Sequence, residues 1–203
     1  MENKTHILLR DENGVEAVSP EKGLLFITGF LMDEKGQIVS LTDLTTLTLT
    51  VSDRDGSKSV INGIQALDIK NTGRGQVFNK QAITGASNAS PIAITIVAHG
   101  HADGDRVWVT GVGGNSNANG RWRVTVTGAD TFSLNGSTGN GAYTSGGSCI
   151  KAAAITLQGA DHTLADTAKS LEYHTALVEG TYGGSKPLKY SMDYAVEKLD
   201  KVS

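Results

Sequence analysis

The sequence predicts an all-β protein built from two β-rich modules, one inserted into the other. Three observations predict it. Glycine is frequent and proline scarce, 25 and 3 of 203 residues, with abundant Thr, Ser and Asn between short apolar runs. That composition suits short strands and tight turns, where glycine supplies positive φ. Apolar and polar residues alternate in several of those runs, the period of a half-buried strand. Finally, residues 82–150 are richer in Gly and Asn, poorer in negative charge and hold both tryptophans, after which the earlier character returns.

In the first part, His6–Arg10 and Leu24–Met32 are strand candidates, each followed by an acidic turn ending in glycine, Asp11–Gly14 and Asp33–Gly36. Thr46–Val51 alternates strictly, with Leu47, Leu49 and Val51 on one face and three threonines on the other. This is the pattern of an antiparallel strand with one solvated face. It runs into a second turn, Asp53–Gly56, and Ala66–Ile69 and Gln76–Phe78 are shorter strand candidates.

The Gly-rich middle opens on β-branched Ile92–Val97, followed by a loop, His99–Asp105. Val107–Val112 sets Trp108 on the face opposite Val107 and Val109, and Arg121–Thr127 sets Trp122, Val124 and Val126 against Arg121, Arg123 and Thr125. Thr131–Leu134 puts Phe132 and Leu134 together. Strands at this spacing, with turn signals between them, describe a small sandwich or barrel.

Beyond Ala152, Ala154–Leu157 is a strand, and Leu164–Ser170 is a corner with room for one helical turn. Leu171–Tyr182 and Leu188–Leu199 form a hairpin around Gly183-Gly184-Ser185, with Pro187 in the connection, where no ladder donor is needed. In its second strand Tyr190, Met192, Tyr194 and Val196 share a face.

The formal net charge is −3, and Arg10, Arg54, Arg74, Arg106, Arg121 and Arg123 lie in different segments. No global field draws nucleic acid or anionic lipid, so neither is an expected partner. The single cysteine, Cys149, excludes an internal disulfide and a Cys-based zinc site. The first residues lack a basic region followed by an apolar run, so no signal peptide is expected. The longest apolar stretches, such as Leu24–Ile27, are too short to span a bilayer.

His99, His101, Asp103 and Asp105 are the densest cluster of potential metal ligands, but they fall in a turn-forming loop, and no metal is expected. Asp53-Arg54-Asp55-Gly56 lacks the later ligands of a calcium loop. No nucleophile elbow, Walker loop, dinucleotide fingerprint or His-Glu-x-x-His motif occurs, so neither a cofactor nor a catalytic set is expected. Trp108 and Trp122 are weighed between core positions and a sugar-stacking platform.

Ile83–Ala89, Ala98–His101 with Gly104-Asp105, Asn119-Gly120-Arg121, Asp130–Leu134 and Ala142–Gly147 together resemble a Gly-rich module that recurs in tail and other virion proteins of bacteriophages. That module is a small β-barrel likened to the first-catalytic-cysteine half-domain of ubiquitin-activating enzymes, a likeness that implies no ubiquitin chemistry. Leu47–Gly56, Asp166-Thr167-Ala168, Leu171–His174 with Tyr182-Gly183-Gly184, and Glu197-Lys198-Leu199 resemble an immunoglobulin-like domain of phage neck, baseplate and tail-associated proteins. The resemblance implies an immunoglobulin-like antiparallel β-sandwich, residues 1–80 plus 152–203, carrying a small β-barrel or sandwich at 81–151. It also implies a non-enzymatic virion protein of tail, neck or baseplate, homo-oligomeric in a symmetric assembly and partnered by other virion proteins. A capsid decoration protein and a glycan-binding adhesin are the alternatives. Trp108, Trp122, Tyr190 and Tyr194 are the candidate interaction residues.

Overall fold

The computed structural model describes residues 25–54, 61, 66–70 and 72–198, and the backbone course of 6–8 and 18–20. The described chain is almost entirely β-structure. It enters on β1 (His6–Leu8), β2 (Val18–Pro20) and β3 (Leu25–Gly29), and continues through β4 (Leu44–Asp53), β5 (Leu67–Asp68) and β6 (Gly75–Gln76). The middle segment supplies β7 (Gln81–Ala82), β8 (Gly85–Ala86), β9 (Ile92–Thr95), β10 (Arg106–Thr110), β11 (Gly120–Gly128), β12 (Thr131–Leu134) and β13 (Ser148–Lys151). The last part supplies β14 (Ala153–Leu157), β15 (Leu171–Tyr182) and β16 (Lys186–Glu197).

Two sheets form a sandwich. The larger runs β1-β16-β15-β4-β5, with β2 also alongside β16, and the smaller runs β3-β14-β6. The pairs are antiparallel except where β1 and β2 lie parallel to β16. Their inner faces share one core. Leu47, Leu49 and Val51 of β4, Ala176 and Val178 of β15, and Met192, Tyr194 and Val196 of β16 meet Ile27 of β3 and Ile155 and Leu157 of β14. The alternation of β4 is therefore the alternation of an inner and an outer face, and each fully buried Leu or Val stabilises the fold by roughly 1.5–3 kcal/mol. The Tyr190–Tyr194–Val196 face, expected to meet a neighbouring subunit, is turned inward instead: Tyr194 is 2% and Val196 0% exposed. A sandwich must bury one face of each central strand, and this is the more apolar face of β16.

The middle segment makes one seven-stranded sheet, β7-β13-β10-β11-β12-β9-β8, curled into a half-barrel. Its core is separate from the sandwich core and contains Ile92, Ile94, Val107, Val109, Val124, Phe132, Leu134 and Cys149. All strands of this sheet come from Gln81–Lys151, and the other two sheets use only the chain around it. The entry strand β7 pairs with the exit strand β13, Ala82 opposite Ser148 and Gln81 opposite Cys149, so the chain leaves beside where it came in.

Some expected elements differ in detail. The strand at Ile92 stops at Thr95, because the Ile96 amide turns to the Asp130 carbonyl and Ala98 takes a positive φ of 50°. Leu164–Ser170 holds bends and a turn without a helical turn, whereas a 3-10 turn forms just before it, at Gly159–His162. Pro187 lies one residue inside β16, opposite Thr181. The turns expected at Asp11–Gly14 and at Asp55-Gly56 lie outside the described residues.

Candidate functional site

The β10–β11 hairpin and the end of β3 enclose a cleft. Antiparallel register sets Arg106 opposite Arg123 and Trp108 opposite Arg121, so three arginines and a tryptophan project from one face of the hairpin. The sequence separates Arg106 from the other two by fifteen residues or more, and strand pairing brings them together. The Arg121 guanidinium lies 4.5 Å from the centre of the Trp108 ring and 5.7 Å from that of Phe30, and Nη2 is 3.7 Å from the Met32 sulfur. Phe30 meets Trp108 edge-on at 5.6 Å. This stack joins the module to the sandwich, and cation–π contact holds Arg121 in place.

The cleft has a volume of about 510 Å³. It is lined by the edge of the sandwich core, Ile27, Leu31, Ile155, Val178 and Met192, each 8% exposed or less, and by the exposed Arg106, Arg121 and Arg123 at its mouth. No aspartate or glutamate lines it. The opening has a local cause. In β3 and β14 the pair Ile27–Ile155 closes the core, and the pair two residues on is Gly29–Ala153. Residues two apart point to the same face, so Gly29 stands where a large side chain would extend the core. A Cβ built there meets nothing within 4 Å.

Trp122 and Tyr190 border this cleft, but neither presents a free polar tip. Trp122 packs on the module core and donates Nε1–H to the Ala118 carbonyl at 2.9 Å. The Tyr190 hydroxyl donates to the Met32 carbonyl and accepts from the Met32 amide, both at 2.6 Å, and burial raises its pKa. Trp108 is covered by Arg121 and Phe30, and Tyr194 is inside the sandwich. The four aromatic residues thus form no common surface. Phe30, Arg106, Arg121 and Arg123 were the missed members; the basic residues at i and i+2 of an alternating strand were the available signal. No protein-family model matches the sequence, and no curated protein matches it either.

The His99–Asp105 loop is tied to its own module. His99 Nε2 lies 3.0 Å from the Gly128 carbonyl oxygen, and the Asp103 carboxylate accepts from the Val126 amide at 2.6 Å. Asp105 accepts from the Ala102 amide and pairs with Lys151 at 2.7 Å. His101 stacks on His99 and lies edge-on to Phe132, with Nε2 3.8 Å from the Cys149 sulfur. Burial, then the neighbouring His99, brings the His101 pKa down to about 4, against the opposing pull of Asp105. Burial pushes the Cys149 thiol up to about 12. The thiol is therefore protonated at neutral pH, and the Cys149–His101 contact is a packed pair without the thiolate that nucleophilic attack requires. Among the described residues no three His, Cys, Asp or Glu are grouped to hold a metal.

A second polar cluster lies inside the sandwich. His174 Nδ1 is 3.1 Å from the Asp161 carbonyl oxygen and Nε2 is 3.4 Å from Glu172 Oε2, which accepts from the Ala165 amide at 2.6 Å. Tyr194 donates to the same Asp161 carbonyl at 2.8 Å, and Arg74 pairs with the Asp161 carboxylate. His162 rests edge-on to Tyr194 with both ring nitrogens buried and without a hydrogen-bond partner, and Glu172 Oε1 is likewise unpaired. Burial lowers the pKa of His162 to about 4 and lowers that of His174 too, Glu172 opposing the latter.

Proposed function

We propose that this chain is a structural component of a bacteriophage particle, associated with tail, neck or baseplate, whose sandwich docks on a symmetric assembly while the inserted module is exposed. The observation that carries this reading is the pairing of β7 with β13. It sets both crossings of the chain side by side, so a module with its own core can stand away from a sandwich that keeps its remaining surface for docking. The likeness of residues 82–148 to a module recurrent in virion proteins, and of the flanking parts to phage immunoglobulin-like domains, gives the reading its biological setting. Glycan binding through Trp108 is less well supported, since Arg121 and Phe30 occupy the surroundings that a sugar ring would need.

The test is mass spectrometry of purified particles followed by localisation in a reconstruction at subnanometre resolution. The expected result is the protein present in stoichiometric, symmetry-related copies, with Gln81–Lys151 pointing outward. Density on the head would move the role to capsid decoration. Absence from purified particles would overturn the proposal.

A further inference from the structure

We propose that β3 is the strand through which two copies of this chain pair, edge to edge and antiparallel about a two-fold axis at Ile27. In the smaller sheet β3 lies outermost, with β14 on one side and no strand on the other among the described residues. The direction of its backbone groups follows from β14. The Thr156 amide donates to the Arg74 carbonyl on the β6 side, so Ile155 and Leu157, one residue either way, bond toward β3. Their partners Ile27 and Leu25 turn their own backbone groups toward β14. Phe26 and Thr28 therefore aim their N–H and C=O groups out of the sheet, and a further strand is the partner that satisfies both kinds at once.

Nothing on β3 discourages such pairing. Leu25–Gly29 carries no charge and no proline, and at five residues it is longer than β1, β2, β5 and β6 at the other sandwich edges, which have two or three. Phe26, on its outer face, is 62% exposed. The residue order makes a second copy the fitting occupant. Antiparallel pairing about Ile27 sets Phe26 against Thr28 and Leu25 against Gly29, and the two-fold repeats both matches. Each joins a large side chain to a small one. Gly29 has open space where a Cβ would stand, and Leu25 of the second copy lies on the same face, beside that space. Phe26 opposite Thr28 is an aromatic and β-branched pair, which is favourable across strands. Phe26 and Thr28 of the two copies exchange both backbone bonds in each such pair, and one sheet runs through both sandwiches. The contact belongs to the chain in solution and needs no particle, so its failure would leave the virion reading standing.

The experiment is sedimentation equilibrium of the full chain from about 1 to about 500 µM, with amide hydrogen exchange at both ends of the range. A monomer–dimer equilibrium is expected, with the Phe26 and Thr28 amides slowing as the dimer forms and the Ile27 amide unchanged. In a mixture of labelled and unlabelled copies, nuclear Overhauser contacts are expected between Leu25 methyl and Gly29 α-protons. These arise only across copies, because the two residues lie about 13 Å apart along one strand. Thr28→Pro removes an N–H that points out of the sheet and leaves the β3–β14 ladder intact, so with unchanged far-UV circular dichroism it should weaken pairing at least tenfold. Phe26→Lys should do the same by placing a charge on the edge. A monomer throughout would overturn the proposal and leave the edge to a strand of another protein. A dimer with unprotected Phe26 and Thr28 amides, a dimer without the Leu25–Gly29 contact, or normal dimerisation of either folded variant would overturn it too.

Discussion

Acidification should weaken the sandwich through His162, and the size of the effect follows from its surroundings. The ring is fully buried, so a proton there loses its hydration, a penalty that the Leu157 backbone offsets only in part. Its pKa falls from 6.5 to about 4 in the folded chain. Between those values the unfolded chain binds the proton and the folded chain does not, so stability is retained above about pH 6.5 and lost as pH falls toward 4. At pH 4.5 the linkage amounts to roughly 2 kcal/mol relative to pH 7. The perturbation is His162→Leu, which removes the titrating ring and leaves an apolar side chain in its place. Urea unfolding of both proteins at pH 7 and pH 4.5, followed by hydrogen exchange of the β15 amides, reads the result within the sandwich. The unmutated chain should lose about 2 kcal/mol more than the variant on acidification. Comparing the two removes the contribution of His101 in the other module and of His174, which stays in both. Equal acid sensitivity would refute the assignment of this loss to His162.

Other outcomes follow from single contacts. Cys149 should resist thiol reagents in the native protein at pH 8 and react fully in denaturant, as measured by mass spectrometry, because it is 0% exposed and its pKa is pushed up to about 12. Tyr194→Phe removes the donor to the Asp161 carbonyl but leaves His174 Nδ1 beside it, so urea denaturation should show a loss of about 1 kcal/mol. Gly114→Ala should cost more than 2 kcal/mol, since φ is +79° and the new Cβ would fall 1.9 Å from the Ala142 carbonyl oxygen. Loss of dispersed amide signals confined to the Gln81–Lys151 module would check it.

The fold class was legible because strand alternation is a local property. Leu47, Leu49 and Val51 had to share a face whatever lay opposite, and the same holds for Phe132 and Leu134. The twelve-residue hairpin strands around Gly183-Gly184 were legible for the same reason, since both glycines take the positive φ that the turn needs, 53° and 93°. The site was much less legible. Sequence order separates Arg106 from Arg121 and Arg123, and only the β10–β11 register aligns them. Phe30 and Met32 come from another module entirely.

What the sequence determined by itself was which residues could share a face, where the chain turns, and that the middle third differs from its flanks. Each depends on neighbours a few positions away. Tertiary structure decided which of two faces turned inward, sending Tyr194 into the core. It also decided that Gly29, unremarkable as a residue, would end a core and open a cleft, and that three dispersed arginines would stand at its mouth. Those outcomes depend on pairing register and on packing between sheets, where the energy comes from surfaces that no short stretch of sequence contains.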